Sequence, residues 1–365
     1  MLNIAIFSPN QNPYSETFIQ THRTHLKGNI YYYYGRKNMQ LENQALLVPS
    51  WERNLIKLKR KFFKMPSGYV QETIILNSLK KNKIDVVLAE YGTHAHHILP
   101  LVKKAGVPMV VHFHGYDASM PVVIEKCKNY KAVFHYASKV IAVSRKMEQM
   151  LLDLGCPREK LVYNVYGPQP EFLDVTPSFA KKQFIAIGRF TDKKAPYYTI
   201  LAFHKAAEKH PDAKLIMAGD GELMNTCKNL VKYSGLETQV EFPGVITPEA
   251  YRSMLSESLS FVQHSITSGR GDMEGTPLSI LEASAAGLPV IATRHAGIKD
   301  VIIHETTGLL CEEHDVASMA ANMLALLDNK EFAKSLGTAG KYNIQTKYTL
   351  ERHIESLQNT LENAV

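Results

Sequence analysis

A chain of 365 residues with 45% hydrophobic and 21% charged positions is ordinary for a soluble globular protein, and its length predicts two domains. No apolar run approaches the ~20 residues of a transmembrane helix. Four cysteines, Cys127, Cys156, Cys227 and Cys311, lie far apart with no C-x-x-C pair, which argues against a zinc site or disulfide framework and for a reducing, cytoplasmic setting. The net charge of +7 is uneven: residues 1–178 carry 23 Lys and Arg against 13 Asp and Glu, a net +10, while residues 179–365 carry 19 against 22, a net −3. Such asymmetry predicts that the front half meets an anionic surface.

The first element is LNIAIFS (2–8). No basic segment precedes it, so it reads as a buried strand and not as a signal peptide. Tyr31–Tyr34 reads as a half-buried strand with aromatic faces. RNLIKLKRKFFK (53–64) interleaves six basic residues with Leu, Ile and Phe. A solvated helix face is its plain reading; beside the +10 half, an interfacial membrane helix is the favoured one. IDVVLAEYG (84–92) is a strand, followed by a helix from Thr93 to Lys104 that stops at Gly106-Val107-Pro108. PMVVHFHG (108–115) and KVIAVS (139–144) are further strands, with Ser144 placed to cap the next helix.

The Pro- and Gly-rich stretch 165–182 has no period and reads as a linker region, after which the pattern begins again. Strands are expected at 183–190, 213–221, 239–244 and 259–264, helices at 195–210 and 222–234, and a helical tail from 331. Near-continuous Val/Ile/Leu runs separated by helices mark parallel sheets buried on both faces. The expected architecture is α/β, two Rossmann-like doubly wound domains facing a central cleft, with ligands beyond the carboxyl ends of the strands. The expected boundaries are an N-terminal domain 1–170, a linker 171–182, a C-terminal domain 183–345, and a terminal helix 346–365 packing back on the N-terminal domain.

GDMEGTPLSILEASAAGLPV (271–290) places Thr276 as a helix N-cap, Pro277 at the first helical position and Gly287 at the end. Glu274 then lies in the loop ahead of the helix and Glu282 in its second turn. Free N–H groups around 277–279 form an anion site between the two acids. Phosphate alone would be repelled there. A longer ligand, with a sugar at one acid and a ribose at the other, would be held, because a carboxylate accepts two hydroxyl protons. AIGRFTDKKAP puts Arg189 and Lys194 in the loop after the second domain's first strand, where two fixed cations suit a departing diphosphate.

In order and spacing these pieces resemble the retaining glycosyltransferases of family 4, with the GT-B fold. The E-x7-E motif of that family is Glu274 and Glu282. Its G-R-L-x-x-x-K-G signature is Gly188, Arg189, Phe190 and Lys194, with Ala195 replacing the last glycine. His114-Gly115 is its H-G element, Val143-Ser144 its VS strand end, and AGDGEL (218–223) its G-x-G loop. SETFI (15–19), HGYD (114–117), KKAP and GDMEGTP are similar to the colanic-acid and exopolysaccharide branch. The likeness covers nearly the whole chain. Two departures stand out: the N-terminal loop lacks the paired glycines of many members, and NVYGPQP lacks the family's Asn-Gly-Val-Asp.

The resemblance implies transfer of a sugar from a UDP- or GDP-sugar to a lipid-linked or polysaccharide acceptor in surface polysaccharide biosynthesis, at the inner face of the cell membrane. It implies His114, Glu274, Arg189 and Lys194 as catalytic. It implies donor binding by Gly188, Arg189, Lys194, Gly219, Gly244, Val245, Glu274, Gly275, Thr276, Pro277, Leu278 and Glu282. Of these, Glu282 would hold the ribose, Arg189 and Lys194 the diphosphate, and Glu274 the sugar. Glu16, Thr17, Gly92 and His114 fall on the acceptor side. No metal and no cofactor beyond the donor is expected. A nucleotide-sugar epimerase of the same shape and a non-catalytic nucleotide-sugar-binding subunit are the alternatives.

Each piece has a plainer reading alone. An E-x7-E pair can simply cap a helix, Arg189 and Lys194 can be solvated, and Arg270-Gly271-Asp272 reads as a chance tripeptide. The histidines at 94, 96, 97, 112 and 114 could form a metal cluster, but no matching carboxylate spacing and no D-x-D accompany them. His112 therefore reads as structural and His114 as functional. No motif supports nucleic acid.

Overall fold

The computed structural model describes residues 1–11, 16–36, 38–44 and 49–365. Ser15 of the SETFI element lies outside the described residues. The chain divides into two compact units. The first is Met1–Ala142, Glu148–Asn164 and Ile354–Val365; the second is Val143–Met147 and Val165–His353.

The first unit is built on one seven-stranded sheet. Its strands are β1 (Asn3–Ser8), β2 (Asn29–Tyr34), β3 (Gln40–Leu41), β4 (Val86–Glu90), β5 (Met109–His112), β6 (Lys139–Ala142) and β7 (Leu161–Tyr163), in the order β3-β2-β1-β4-β5-β6-β7. All neighbours are parallel except β3, a two-residue antiparallel edge on β2. Ile4, Ala5, Ile6 and Phe7 of β1 are fully enclosed, as a strand covered by helices on both faces must be. The tyrosine run forms β2; Tyr33 is buried and stacks on Phe7 with ring centroids 4.7 Å apart. Helix Leu350–Glu362 ends in this unit, where Gln358 accepts from the Lys27 amide at 3.0 Å and returns a bond to the Lys27 carbonyl at 3.2 Å.

The second unit holds β8 (Gln183–Ile187), β9 (Lys214–Ala218), β10 (Val240–Gly244), β11 (Ser260–Gln263), β12 (Val290–Thr293) and β13 (Gly308–Cys311). The order is β10-β9-β8-β11-β12-β13, wholly parallel, so the winding reverses between β8 and β11. In an open α/β sheet this reversal opens a crevice at the carboxyl ends of the two strands.

Strands that carry motifs stop short of them. The stretch expected at 183–190 pairs only to Ile187, and that at 213–221 only to Ala218. Gly188 and Gly219 follow, both at positive φ, and turn the chain out of the sheet. Helix Leu278–Ala286 ends at Gly287 in the left-handed conformation, and Ser144 Oγ accepts from the Met147 amide at 3.1 Å, both as expected. All four cysteines are free and buried. Among the described residues no helix is long and apolar enough to cross a membrane.

Candidate functional site

The crevice between β8 and β11 is an open pocket lined by Gly188, Arg189, Phe190, Lys194, Met217 and Gln263 among others. Arg189 is exposed at its mouth. Lys194 reaches Glu274 Oε1 at 3.0 Å, with little of either side chain exposed. Burial alone would raise the Glu274 carboxyl, but the Lys194 and Lys193 ammonium groups overcome it and hold it at about 2. Burial pulls Lys194 below its ordinary value, and Glu274 opposes that shift. Glu274 is thus ionised at neutral pH.

Two backbone features make room for this arrangement. A Cβ at Gly219 would lie 2.0 Å from the Gly188 carbonyl oxygen, so glycine alone fits where the two loops cross. The Gly219 amide donates to the Gly244 carbonyl at 2.7 Å, which draws the ends of β8, β9 and β10 together. Ala195 stands at φ +34°, in the left-handed region, fully enclosed. That conformation is why a glycine suits this position and why alanine strains it.

The loop ahead of helix Leu278–Ala286 departs from expectation at Thr276. Pro277, at φ −65° and ψ 123°, takes the N-cap place, with no side-chain cap, and the helix begins at Leu278. The Thr276 hydroxyl instead donates to the Val143 carbonyl at 2.6 Å. Pro277 has no N–H, so the first helical amides are those of Leu278 and Ser279. The Gly275 carbonyl accepts from the Gly297 amide at 2.9 Å. Glu282 sits in the second turn, half-buried, where burial pushes its carboxyl up to about 7. Of the expected donor-binding residues only Gly188, Arg189 and Lys194 line this pocket; Gly219, Gly244, Val245, Glu274, Gly275, Thr276, Pro277, Leu278 and Glu282 do not, and Val245 is exposed.

In the first unit the expected residues gather at the reversal between β1 and β4. The Tyr91 hydroxyl donates to Glu16 Oε1 at 2.9 Å, and the Tyr91 ring lies 4.5 Å from that of His114. Thr17 is exposed at the start of helix Thr17–His25. Gly92 packs on Phe113 so closely that a Cβ would come within 2.1 Å of the ring. Asp117, buried, accepts from the amides of Gly92, His114 and Gly115 at 2.8, 3.1 and 2.9 Å, which fixes both loops.

The absence of a carboxylate near the histidines is corrected by the fold. Glu90 ends β4 directly opposite His112 of β5. Its oxygens lie 2.7 Å from His22 Nδ1 and 2.8 Å from His114 Nε2. Burial alone would raise Glu90, and the two imidazoles overcome it and hold it well below the usual range. Ligand-type atoms of His22, Glu90 and His112 all lie within 4.8 Å of one another. Separations of 68 and 24 residues along the chain conceal this cluster from a spacing search.

Sequence reasoning also missed Lys193 and His295. Lys193 is buried and donates to Asp272 Oδ1 at 3.1 Å and the Met273 carbonyl at 3.3 Å. His295, fully buried, accepts from the Glu274 amide at 3.1 Å. The only signal in the sequence is the pairing of Lys193 with Lys194, two cations where the diphosphate reading uses one.

Comparison with known proteins now bears on this geometry. Residues 173–342 match the model for glycosyl transferases group 1, and residues 35–164 match that for Glycosyltransferase Family 4. The amylovoran biosynthesis glycosyltransferase AmsK of Erwinia amylovora is 28% identical over 296 residues, covering 79% of this chain and 72% of that protein. WcaL of Escherichia coli K12, named for colanic acid biosynthesis, is 29% identical over 264 residues, covering 69% and 64%. The chain thus spans about two thirds of these relatives' length. HepE of Anabaena, crystallised with UDP-glucose, superposes with a TM-score of 0.78 at 15% identity, covering both chains fully. Sucrose-phosphate synthase of Thermosynechococcus elongatus does so with 0.74 at 16%, covering 100% of this chain and 99% of that one. The chain belongs to the glycosyltransferases, with the two Rossmann-like domains of the GT-B fold.

Proposed function

We propose that this glycosyltransferase moves a sugar from a UDP- or GDP-sugar to a lipid-linked or polysaccharide acceptor in surface polysaccharide biosynthesis, with retention of configuration. The observation that carries the reading is the Lys194–Glu274 pair beside Arg189, at the strand-end cavity where the winding of the second sheet reverses. A diphosphate there meets two cations, and the amides of Leu278 and Ser279 add the positive end of a helix. Glu274 accepts from hydroxyls of the sugar, and Glu282 from those of the ribose. The relatives named for amylovoran and colanic acid biosynthesis support the polysaccharide setting.

In the transfer, the bond between the anomeric carbon and the diphosphate oxygen breaks through an oxocarbenium-like state. The acceptor oxygen bonds to that carbon on the face the leaving group vacates. Its proton passes to a diphosphate oxygen. Arg189 and Lys194 stabilise the departing charge, so the reaction needs no metal. Glu16, Thr17, Gly92 and His114 serve the acceptor side, with Glu90 holding the His114 ring through Nε2.

Helix Ser50–Phe62 is the membrane contact of this reading, at the cytoplasmic face of the cell membrane. Ile56 is its buried anchor, while Trp51, Leu55, Leu58, Phe62 and Phe63 are exposed among Arg53, Lys57, Lys59, Arg60, Lys61 and Lys64. Exposed aromatics ringed by cations suit an anionic lipid surface.

Thermal unfolding with a panel of UDP- and GDP-sugars tests the donor. A donor at a hundred times its Kd should stabilise the protein by about 2.7 kcal/mol. Incubation of that donor with and without a lipid-linked acceptor then separates the alternatives. Isomerised sugar without acceptor would mean an epimerase. A donor left intact with every acceptor would mean a binding subunit. Failure of every nucleotide sugar to stabilise the protein would sink the reading.

A further inference from the structure

Glu274 belongs to a loop with almost no secondary structure of its own, running from the end of β11 to Pro277. Something must hold its carboxylate in place, since a position that wanders by an ångström loses most of its binding value. Lys193 ties down Asp272 and Met273, and its carbonyl accepts from the Ile266 amide at 2.8 Å. On the other side lies the turn that follows β12, His295-Ala296-Gly297. The Gly297 amide binds the Gly275 carbonyl, and a Cβ at Gly297 would lie 2.4 Å from that oxygen, so the two segments are in backbone contact.

His295 completes this brace, and its protonation pattern follows from its partners. The Glu274 amide can only donate, so Nε2 must accept. The ring proton is therefore on Nδ1, which lies 2.6 Å from Glu313 Oε1. Glu313 Oε2 accepts from the Thr267 amide at 2.7 Å, at the other end of the same loop. Burial would raise the Glu313 carboxyl, but the bonds from His295 and Thr267 hold it below its ordinary value. One chain of bonds, Thr267 to Glu313 to His295 to Glu274, thus closes the loop on itself.

We propose that His295, oriented by Glu313, is a positioning residue for the sugar donor: it holds the Glu274 backbone so that the Glu274 carboxylate meets the sugar. The inference rests on the donor reading above. It assigns to His295 no contact with substrate; its whole effect passes through Glu274.

Two substitutions separate the ring nitrogens, since the glutamine carbonyl reaches about as far as Nε2 and the asparagine amide about as far as Nδ1. His295→Gln keeps an acceptor for Glu274. His295→Asn keeps a donor for Glu313 and leaves the Glu274 amide unpartnered. Calorimetry with UDP-glucose and GDP-mannose should find His295→Asn weakened about ten-fold and His295→Gln less than about three-fold, with similar unfolding temperatures. In a Glu274→Ala background, His295→Asn should weaken binding less than about two-fold further, because the group it positions is already gone. Equal losses for both variants, or the same ten-fold loss in both backgrounds, would mean a merely structural histidine and overturn the inference while the donor reading stands. Failure of the unaltered protein to bind either nucleotide sugar would overturn both.

Discussion

Binding of a nucleotide sugar should release a proton from Glu282. Its carboxyl stands at about 7 in the free protein because burial disfavours the charge. A ribose diol binds best to the ionised form, which accepts both hydroxyl protons. Only the ionised fraction is then competent, about one in eleven at pH 6 and nine in ten at pH 8, so affinity should be about ten-fold greater at pH 8. A nucleotide sugar is the right probe, because its diphosphate is esterified at both ends and does not titrate in this window. The sign for stability is opposite. The folded pKa lies above the ordinary carboxylate value, so this group's stabilisation is fully present below about 4.5 and is lost as pH rises through about 7. The loss is about 3 kcal/mol. Glu282→Gln should therefore bind weakly at both pH values, with a flat profile, and unfold at a higher temperature than the unaltered protein at pH 8. Calorimetry at pH 6 and pH 8, with parallel thermal unfolding, reads both quantities. A Gln variant that keeps the ten-fold pH dependence, or that is less stable at pH 8, would refute the reasoning.

Lys194→Ala should depress turnover more than donor affinity, since its charge is needed most when the diphosphate departs; equal loss in kcat and Kd would count against that role. The same change strips Glu274 of its cation, so stability should fall by about 3 kcal/mol in denaturant unfolding at pH 7. Gly219→Ala should cost about 1–3 kcal/mol and donor binding with it, because the methyl must displace the Gly188 carbonyl; unaltered unfolding and calorimetry would contradict the crossing of those loops. Trp51→Ser with Phe62→Ser and Phe63→Ser should change stability by less than about 0.5 kcal/mol, all three side chains being exposed, yet release the protein from vesicles rich in phosphatidylglycerol. Sedimentation with undiminished vesicle binding would rule out helix Ser50–Phe62 as the contact.

Much of this architecture was legible in one dimension. Strand runs such as 84–92 and 108–115 are rich in Val, Ile, Leu and Met because both sheet faces are covered, and short β-branched runs bounded by Gly and Pro suit strands. Gly287 ends its helix where a left-handed residue is required. Boundaries were less legible. Strand ends at Ile187 and Ala218 depend on where a neighbouring strand stops offering partners, which is a property of the pair. Thr276 has the right residue type for an N-cap, yet the helix begins one residue later, with Pro277 in the N-cap place, and the Thr276 hydroxyl donates to the Val143 carbonyl, 133 residues away in sequence.

The local pattern by itself determined that the chain would wind into two α/β units, with cations after β8 and acids around a helix start, since periodicity and turn chemistry act within a few residues. Which groups meet was left to tertiary structure. Lys194 finds Glu274 across 80 residues, His22 finds Glu90 across 68, and His295 reaches the Glu274 amide across 21. Those meetings follow from strand order and from which loops leave the same end of a sheet, and no short-range preference encodes that order.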